Sequence, residues 1–238
     1  RPFEWGADLV VHSTTKFLSG QGNAMGGIVI DSGRFPWFGN AKYPSLSEPC
    51  PDYNGLTFAE TFGDMAFTLY SHAVSLRDLG CTQSPMNAWI TLNGVETLPL
   101  RMERHVANAQ KVAGFLQQHP SVEWVSYAGL SSSPYYQLAQ KYLQGKAGSV
   151  FTFGIRGGYE SGLRLLEKVE LFSHVSNIGD SRSLILHPAS TTHRQLSDEQ
   201  RLTAGAGPEV IRLSVGIESA EDLIADLEQA LELSLIHI

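Results

Sequence analysis

Cysteine is scarce: only Cys50 and Cys81 occur in 238 residues. Two thiols cannot build a disulfide framework, and a reduced, cytosolic setting is the default reading. Long hydrophobic runs are absent, and no window approaches the roughly 20 apolar residues that a membrane-spanning helix needs. Positive charge is in deficit, with 17 Lys+Arg against 24 Asp+Glu and a formal net charge of −7. Without a basic run, that balance argues against nucleic-acid and membrane partners. It leaves room for a local basic pocket that takes a small anion. The opening RPFEWGADLVV has neither the basic stretch nor the small-residue cleavage site of a signal peptide. There is no initiator Met, so the chain reads as cut from something longer. Repeats and low-complexity tracts are also missing.

A metal centre finds little support. None of the eight histidines sits in a His-Glu-x-x-His pattern. His187 and His193, with Pro188 between them, suit loop stabilisation better than zinc binding. Neither cysteine has a neighbouring histidine to favour its thiolate, and both are read as incidental.

What is present is a folding chain, 42% hydrophobic and 17% charged, long enough for one or two domains. Asp8–Val11 reads as a buried strand, and a loop of small residues (19–27) leads to a second strand at Ile28–Ile30. Residues 31–56 are irregular, punctuated by glycine and proline, and a loop of that length is usually functional. A helix is expected over 57–79, with Phe58, Phe62 and Phe67 in the core or at a subunit contact. A longer helix is expected from Pro85 to about Gln118, broken or kinked near Gly94 and Pro99.

Strands and helices then alternate. Strands are expected at 122–125, 150–155, 175–178, 184–186 and 210–215, with helices over 135–143, 162–168, 197–204 and from Ser219. Ser197 and Ser219 read as helix caps. Leu223, Leu227 and Leu231 form an apolar stripe on the acidic last helix. The alternation indicates an α/β chain. The expected boundary lies near residue 86, giving one domain over 1–85 and another over 86–238. The terminal Ser234-Leu235-Ile236-His237-Ile238 adds apolar residues past the helix and reads as non-native.

Lys16 is the first chemical candidate. It follows a strand, carries hydroxyls at Ser13, Thr14 and Thr15 before it, and precedes Gly20 and Gly22. Desolvation of an amine in such a place favours its uncharged, nucleophilic form, as attack on an aldehyde requires. Hydroxyls could donate to a phosphate, and small residues allow backbone to approach closely. On these residues alone, an ordinary exposed lysine is the simpler reading. Arg212 reads alone as a surface-paired arginine on an edge strand, and Ser183 as a turn residue.

Three segments, taken together and in order, alter that balance. They are Gly6-Ala7-Asp8-Leu9-Val10-Val11-His12-Ser13-Thr14-Thr15-Lys16, then Asn177-Ile178-Gly179-Asp180-Ser181-Arg182-Ser183-Leu184-Ile185-Leu186-His187-Pro188-Ala189-Ser190-Thr191-Thr192-His193, then Ile211-Arg212-Leu213-Ser214-Val215-Gly216-Ile217-Glu218. The chain thereby resembles the Cys/Met-metabolism family of pyridoxal-phosphate (PLP) enzymes from residue 1 to about residue 231. The resemblance implies an aspartate-aminotransferase-like α/β fold (fold type I), with 1–85 ending the large cofactor domain and 86–238 forming the small C-terminal domain.

It also implies roles. Lys16 would join PLP as a Schiff base and later shuttle protons, and Ser13 and Thr15 would bind the cofactor phosphate. Arg212 would hold the substrate α-carboxylate, with Ser183 assisting. The Arg fork suits a carboxylate bidentately. The loop at 31–56, the run Arg77–Ala88 and the run Gly94–His105 most resemble members that act on O-acetyl-L-homoserine. These replace its γ-acetoxy group with sulfide or a thiol to give homocysteine and acetate, in methionine biosynthesis. A cystathionine γ-synthase or a methionine γ-lyase activity would share the same four residues, and a non-catalytic folding or subunit-contact module is a further alternative. Family members are usually homotetramers of dimers with shared active sites. In them the carboxylate facing the pyridine nitrogen, the ring-stacking aromatic and a phosphate-binding glycine loop lie upstream of this segment. So do a tyrosine and an arginine supplied by the neighbouring subunit. The chain alone is therefore expected to be inactive or nearly so.

Overall fold

In the computed structural model, which describes residues 1–235, the apolar run after Asp8 extends as β1 (Leu9–Ser13). It pairs antiparallel with β2 (Gly27–Asp31), Val11 opposite Val29 and Ser13 opposite Gly27. The two form a sheet of their own. β1 was expected to be buried, yet Val11 is 71% exposed and Ile28, Val29 and Ile30 are exposed too. The physical reason is that each strand has a single neighbour among the described residues.

The chain divides into two units. The first comprises Arg1–Thr14 and Met25–Trp89. Beyond the β1–β2 ribbon it contains α1 (Pro44–Ser47), α2 (Phe58–Phe62) and α3 (Ala66–Tyr70). The single helix expected over 57–79 is interrupted because Gly63 adopts a left-handed φ of 56° and ends α2. A wider helical turn over Ser71–Asp78 follows α3. Trp37, Leu46, Phe58, Ala59 and Ala66 make the core, with Phe62 and Phe67 packed against it.

The second unit comprises Thr15–Ala24 and Ile90–Ile238. Helix α4 (Pro85–Gln118) starts in the first unit and belongs to the second from Ile90. Of the break or kink expected near Gly94 and Pro99, the break does not occur: α4 is one helix through both. Next come β3 (Val122–Ser126), α5 (Tyr136–Leu143), β4 (Val150–Ile155) and α6 (Gly158–Lys168). They are followed by β5 (Ser173–His174), β6 (Leu184–Leu186), α7 (Asp198–Thr203), β7 (Val210–Ser214) and α8 (Ala220–Leu235). Extended structure expected at 175–178 lies slightly earlier, in β5, and 177–183 is a loop.

The sheet order is β3-β4-β7-β6-β5, antiparallel except for the parallel β5–β6 pair. Strand β7 is therefore interior, not an edge. Phe153, Ile155, Ile185, Ile211 and Leu213 from the sheet pack with Val112 and Leu116 of α4, Leu165 of α6 and Leu223, Leu227 and Leu231 of α8. The leucine stripe of α8 is thus core. Ser197 caps α7 in a reciprocal box with Gln200, and the Asp222 amide donates to Ser219 Oγ at the start of α8. Of the terminal run read as non-native, Ser234 is buried within α8, and 236–238 lie outside the described residues. No described helix is long and apolar enough to cross a membrane.

Candidate active site

Lys16 stands in a turn, Thr14–Leu18, whose backbone leaves helical geometry at the lysine itself (φ −91°, ψ −129°). Its side chain is half-buried, and Nζ donates to Oδ1 of Asn177 at 2.6 Å. The turn closes behind it: Gly20 N donates to Lys16 O at 2.8 Å, and Ser19 Oγ donates to Thr15 O at 3.2 Å.

Asn177 opens the loop 177–183, the first part of the second sequence segment. That loop is tied to the lysine turn, since Ser181 N donates to Gly20 O at 2.8 Å. It is also tied to the β7 segment. Gly179 N donates to Ser214 Oγ at 2.9 Å, and Ile217 N donates to Ser181 O at 2.9 Å. Gly179 has φ +71°, and a Cβ there would lie 2.7 Å from Phe17 N. Only glycine combines that left-handed backbone with so close an approach. The lysine end of the first segment, the head of the second and the third thus meet within the second unit, through backbone and side-chain hydrogen bonds.

Arg212 projects from interior strand β7 and is half-buried. Its Nη2 donates to the Asn177 carbonyl at 3.3 Å. No carboxylate lies within ion-pair distance of it among the described residues. Burial pulls its pKa below the ordinary arginine value. A guanidinium in that state has a charge to satisfy and unused N–H donors. Asp180 is buried and accepts from Arg182 through both carboxylate oxygens. Burial alone would raise its pKa, but the hydrogen bonds and charge of Arg182 hold it below the usual range.

The remaining expected residues fall in different places. Ser13 is exposed at the end of β1, in the first unit. Thr15 is half-buried and directly precedes the lysine. Ser183 is fully buried: its hydroxyl donates to Glu218 Oε2 at 2.9 Å and accepts from Gly216 N at 2.7 Å. Its amide also donates to Glu218 Oε1 at 2.6 Å. That hydroxyl is committed to bracing the loop, and the group beside both Lys16 and Arg212 is Asn177. Asn177 stands in the second segment, where its residue type alone points to no role. The signal was its place at the head of that segment; its meaning needed the fold.

His187 serves its loop, with Nδ1 3.0 Å from Ser190 Oγ and Nε2 2.8 Å from the Pro208 carbonyl. Among the described residues, no three His, Cys, Asp or Glu side chains gather as metal ligands would.

A half-buried lysine, a half-buried arginine with no carboxylate partner among the described residues and a glycine-braced loop thus lie together in the second unit. The Cys/Met metabolism PLP-dependent enzyme family matches residues 1–232, and the chain belongs to that family. O-acetyl-L-homoserine sulfhydrylase 1 of Thermus thermophilus is 50% identical to it over 231 residues, 97% of this chain and 55% of that protein.

Two solved structures are similar. One is of a Campylobacter jejuni protein assigned as an O-acetylhomoserine (thiol)-lyase, with N'-pyridoxyl-lysine-5'-monophosphate in its chain. It has a TM-score of 0.92 and 43% identity, over 97% of this chain and 55% of that one. The other is a cystathionine gamma synthase from Xanthomonas oryzae pv. oryzae in complex with cystathionine. Its TM-score is 0.77 and its identity 33%, over 98% of this chain and 52% of that one. The α/β architecture is that of these PLP-dependent enzymes. The chain spans about half the length of the relatives it matches.

Proposed function

We propose that Lys16 is the residue to which PLP attaches, and that the whole protein replaces the γ-acetoxy group of O-acetyl-L-homoserine with sulfide or a thiol. The Cγ–O bond would break and a Cγ–S bond form, releasing acetate and giving homocysteine from sulfide or its S-substituted thioether from a thiol. One observation carries the reading: Lys16 Nζ is held at 2.6 Å by Asn177, whose carbonyl receives Arg212, a half-buried guanidinium without a carboxylate partner. The donor set fits the cofactor's chemistry. An amine would meet the aldehyde, and the hydroxyls of Thr15, beside it in the chain, and Ser13 would take phosphate oxygens. When bound, PLP supplies an electron sink for charge developing next to the amino group.

The chain's own residues would do the rest. Arg212 would orient the substrate by its α-carboxylate in a fork that a lysine cannot reproduce. Asn177 would hold Nζ until the substrate amine competes for that place, and Lys16, once released, would carry protons at Nζ. Ser183 would act through the loop it braces. The O-acetylhomoserine reading is preferred over cystathionine synthesis because similarity to the thiol-lyase structure is higher, 43% against 33% identity. We further propose cytoplasmic assembly as a homotetramer of dimers, supported by the family resemblance and by the paucity of cysteine.

The test, made on the whole protein, is reduction with borohydride in the presence of PLP, followed by peptide mapping, together with product analysis. We expect label on Lys16, none there in Lys16→Ala, and homocysteine plus acetate from O-acetylhomoserine and sulfide. Label spread over surface lysines and unchanged by Lys16→Ala defeats the site. Formation of α-ketobutyrate and ammonia from methionine, without homocysteine synthesis, defeats the reaction.

A further inference from the structure

One face of α4 carries Gly94, Thr97, Arg101, His105 and Asn108, three or four residues apart and therefore aligned. Each touches a segment of the site or its neighbour in that row. Arg101 is the most fully engaged. Its Nη1 donates to Phe17 O at 2.9 Å, and its Nη2 donates to Gly94 O at 2.7 Å and Leu18 O at 3.4 Å. Its Nε donates to Thr97 Oγ1 at 3.2 Å. No carboxylate pairs with it among the described residues. Buried charge is ordinarily matched by opposite charge; here carbonyl dipoles and a hydroxyl do it.

Two of those carbonyls belong to the residues immediately after Lys16. Because the backbone leaves helical geometry at Lys16, the turn beyond it cannot rely on a regular helical ladder. Gly94 makes the approach possible, since a Cβ there would lie 2.5 Å from Leu18 O and collide with Ser19. The same face restrains the next side chain, with His105 edge-on to the Phe17 ring at a centroid separation of 5.5 Å. His105 Nδ1 lies 2.7 Å from Val215 O, and Asn108 Nδ2 donates to Gly216 O and Glu218 O, in the segment that bears Arg212.

We infer that Arg101 is a positioning residue for Lys16: its fork clamps the carbonyl end of the lysine turn to α4 and so sets where Nζ points. The inference rests on the reading of Lys16 as the cofactor lysine. An ammonium could not replace the fork, because a point charge cannot serve separated carbonyls from one planar group.

The experiment, on the whole protein, compares wild type with Arg101→Met, Arg101→Lys and the milder Thr97→Val, which removes the Nε partner and that hydroxyl's own bond to Gly94 O. Hydrogen exchange is read at the Gly20 amide, which closes the turn on Lys16 O, with β4 amides as the internal control. We expect Arg101→Met to speed Gly20 exchange at least 10-fold while β4 stays protected. In the PLP-loaded protein we expect the pH midpoint of the Lys16-dependent cofactor absorbance to move by half a unit or more. We also expect kcat to fall at least 10-fold, with KM within 3-fold. Arg101→Lys should fail to rescue, and Thr97→Val should move the same readouts less.

If Arg101→Met does not fold, Thr97→Val decides alone: no change in exchange or pH midpoint overturns the inference. Faster exchange with an unmoved pH midpoint and rate also overturns it, leaving Arg101 a structural strut. If wild type shows no Lys16-dependent absorbance at all, the cofactor reading fails instead, and the exchange result is still legible without it.

Discussion

The two units of this chain spend their apolar residues differently. The second wraps one five-stranded sheet with α4, α6 and α8, and Phe153, Ile155, Ile211, Leu213 and Leu227 are completely shielded from solvent. The first relies on a small aromatic group, in which Trp37 stacks on Phe67 at 5.6 Å and meets Phe35 and Tyr43. Its β1–β2 ribbon presents valines and isoleucines to solvent. The lysine turn lies on the well-packed side of that contrast. Residues 15–24 group with the second unit, although the residues on either side of them in the chain belong to the first. Precise placement of a functional side chain needs rigid support around it, and the hydrogen bonds reaching the candidates Lys16 and Arg212 come from the better-packed unit.

The sharpest way to break this contrast is truncation in the second core. Phe153→Ala should cost about 3–5 kcal/mol in urea unfolding, through lost burial and the cavity left behind. A loss under about 1 kcal/mol would show that the sheet core is loose. Next in size is acid sensitivity. His105 is fully shielded, and burial holds its pKa below the ordinary histidine value despite its hydrogen bond to Val215 and the nearby Glu218 and Asp180. Unfolding returns it to about 6.5, so at mildly acid pH the unfolded chain binds more protons. Its stabilising contribution is complete above about pH 6.5 and is lost as pH falls below that. The slope can reach about 1.4 kcal/mol per pH unit. Buried His187, and His119, are shifted the same way by burial and add to the slope. Urea midpoints at pH 7.5 and 5.5 should differ less in His105→Gln than in wild type; identical pH dependence would remove His105 from the account. The smallest effect belongs to the ribbon. Val11→Thr keeps the β-branched shape at a position 71% exposed and should change stability by less than about 0.5 kcal/mol. A loss above about 2 kcal/mol would mean the ribbon is covered in solution.

Much of the second unit was legible in advance. The β4 bounds, the Ser197 cap and the leucine stripe of α8 followed from alternation, a cap residue and helical spacing, all of which act locally. The helix expected over 57–79 was not, because a left-handed glycine is invisible to an apolar pattern. Strand β1 misled for another reason: an apolar run predicts that something should cover it, not that something does. At the site, Lys16 and Arg212 were singled out by the resemblance of their segments, since by residue type alone each had a simpler reading. Ser183 was read as a helper of Arg212, but its hydroxyl is turned inward to Glu218. Asn177 and Arg101 carry the direct contacts to the lysine side chain and its turn.

The chain's order of residues was enough to decide the family, and with it the cofactor class and a candidate amine at Lys16. Those rest on the resemblance of a few short segments, each contiguous in the chain. Which groups touch that amine and its turn was decided only by folding. Asn177 lies 161 positions from Lys16, and Arg101 lies 84 from Phe17. Hydrogen bonds act over about 3 Å, so partners that distant in the chain are settled by packing alone.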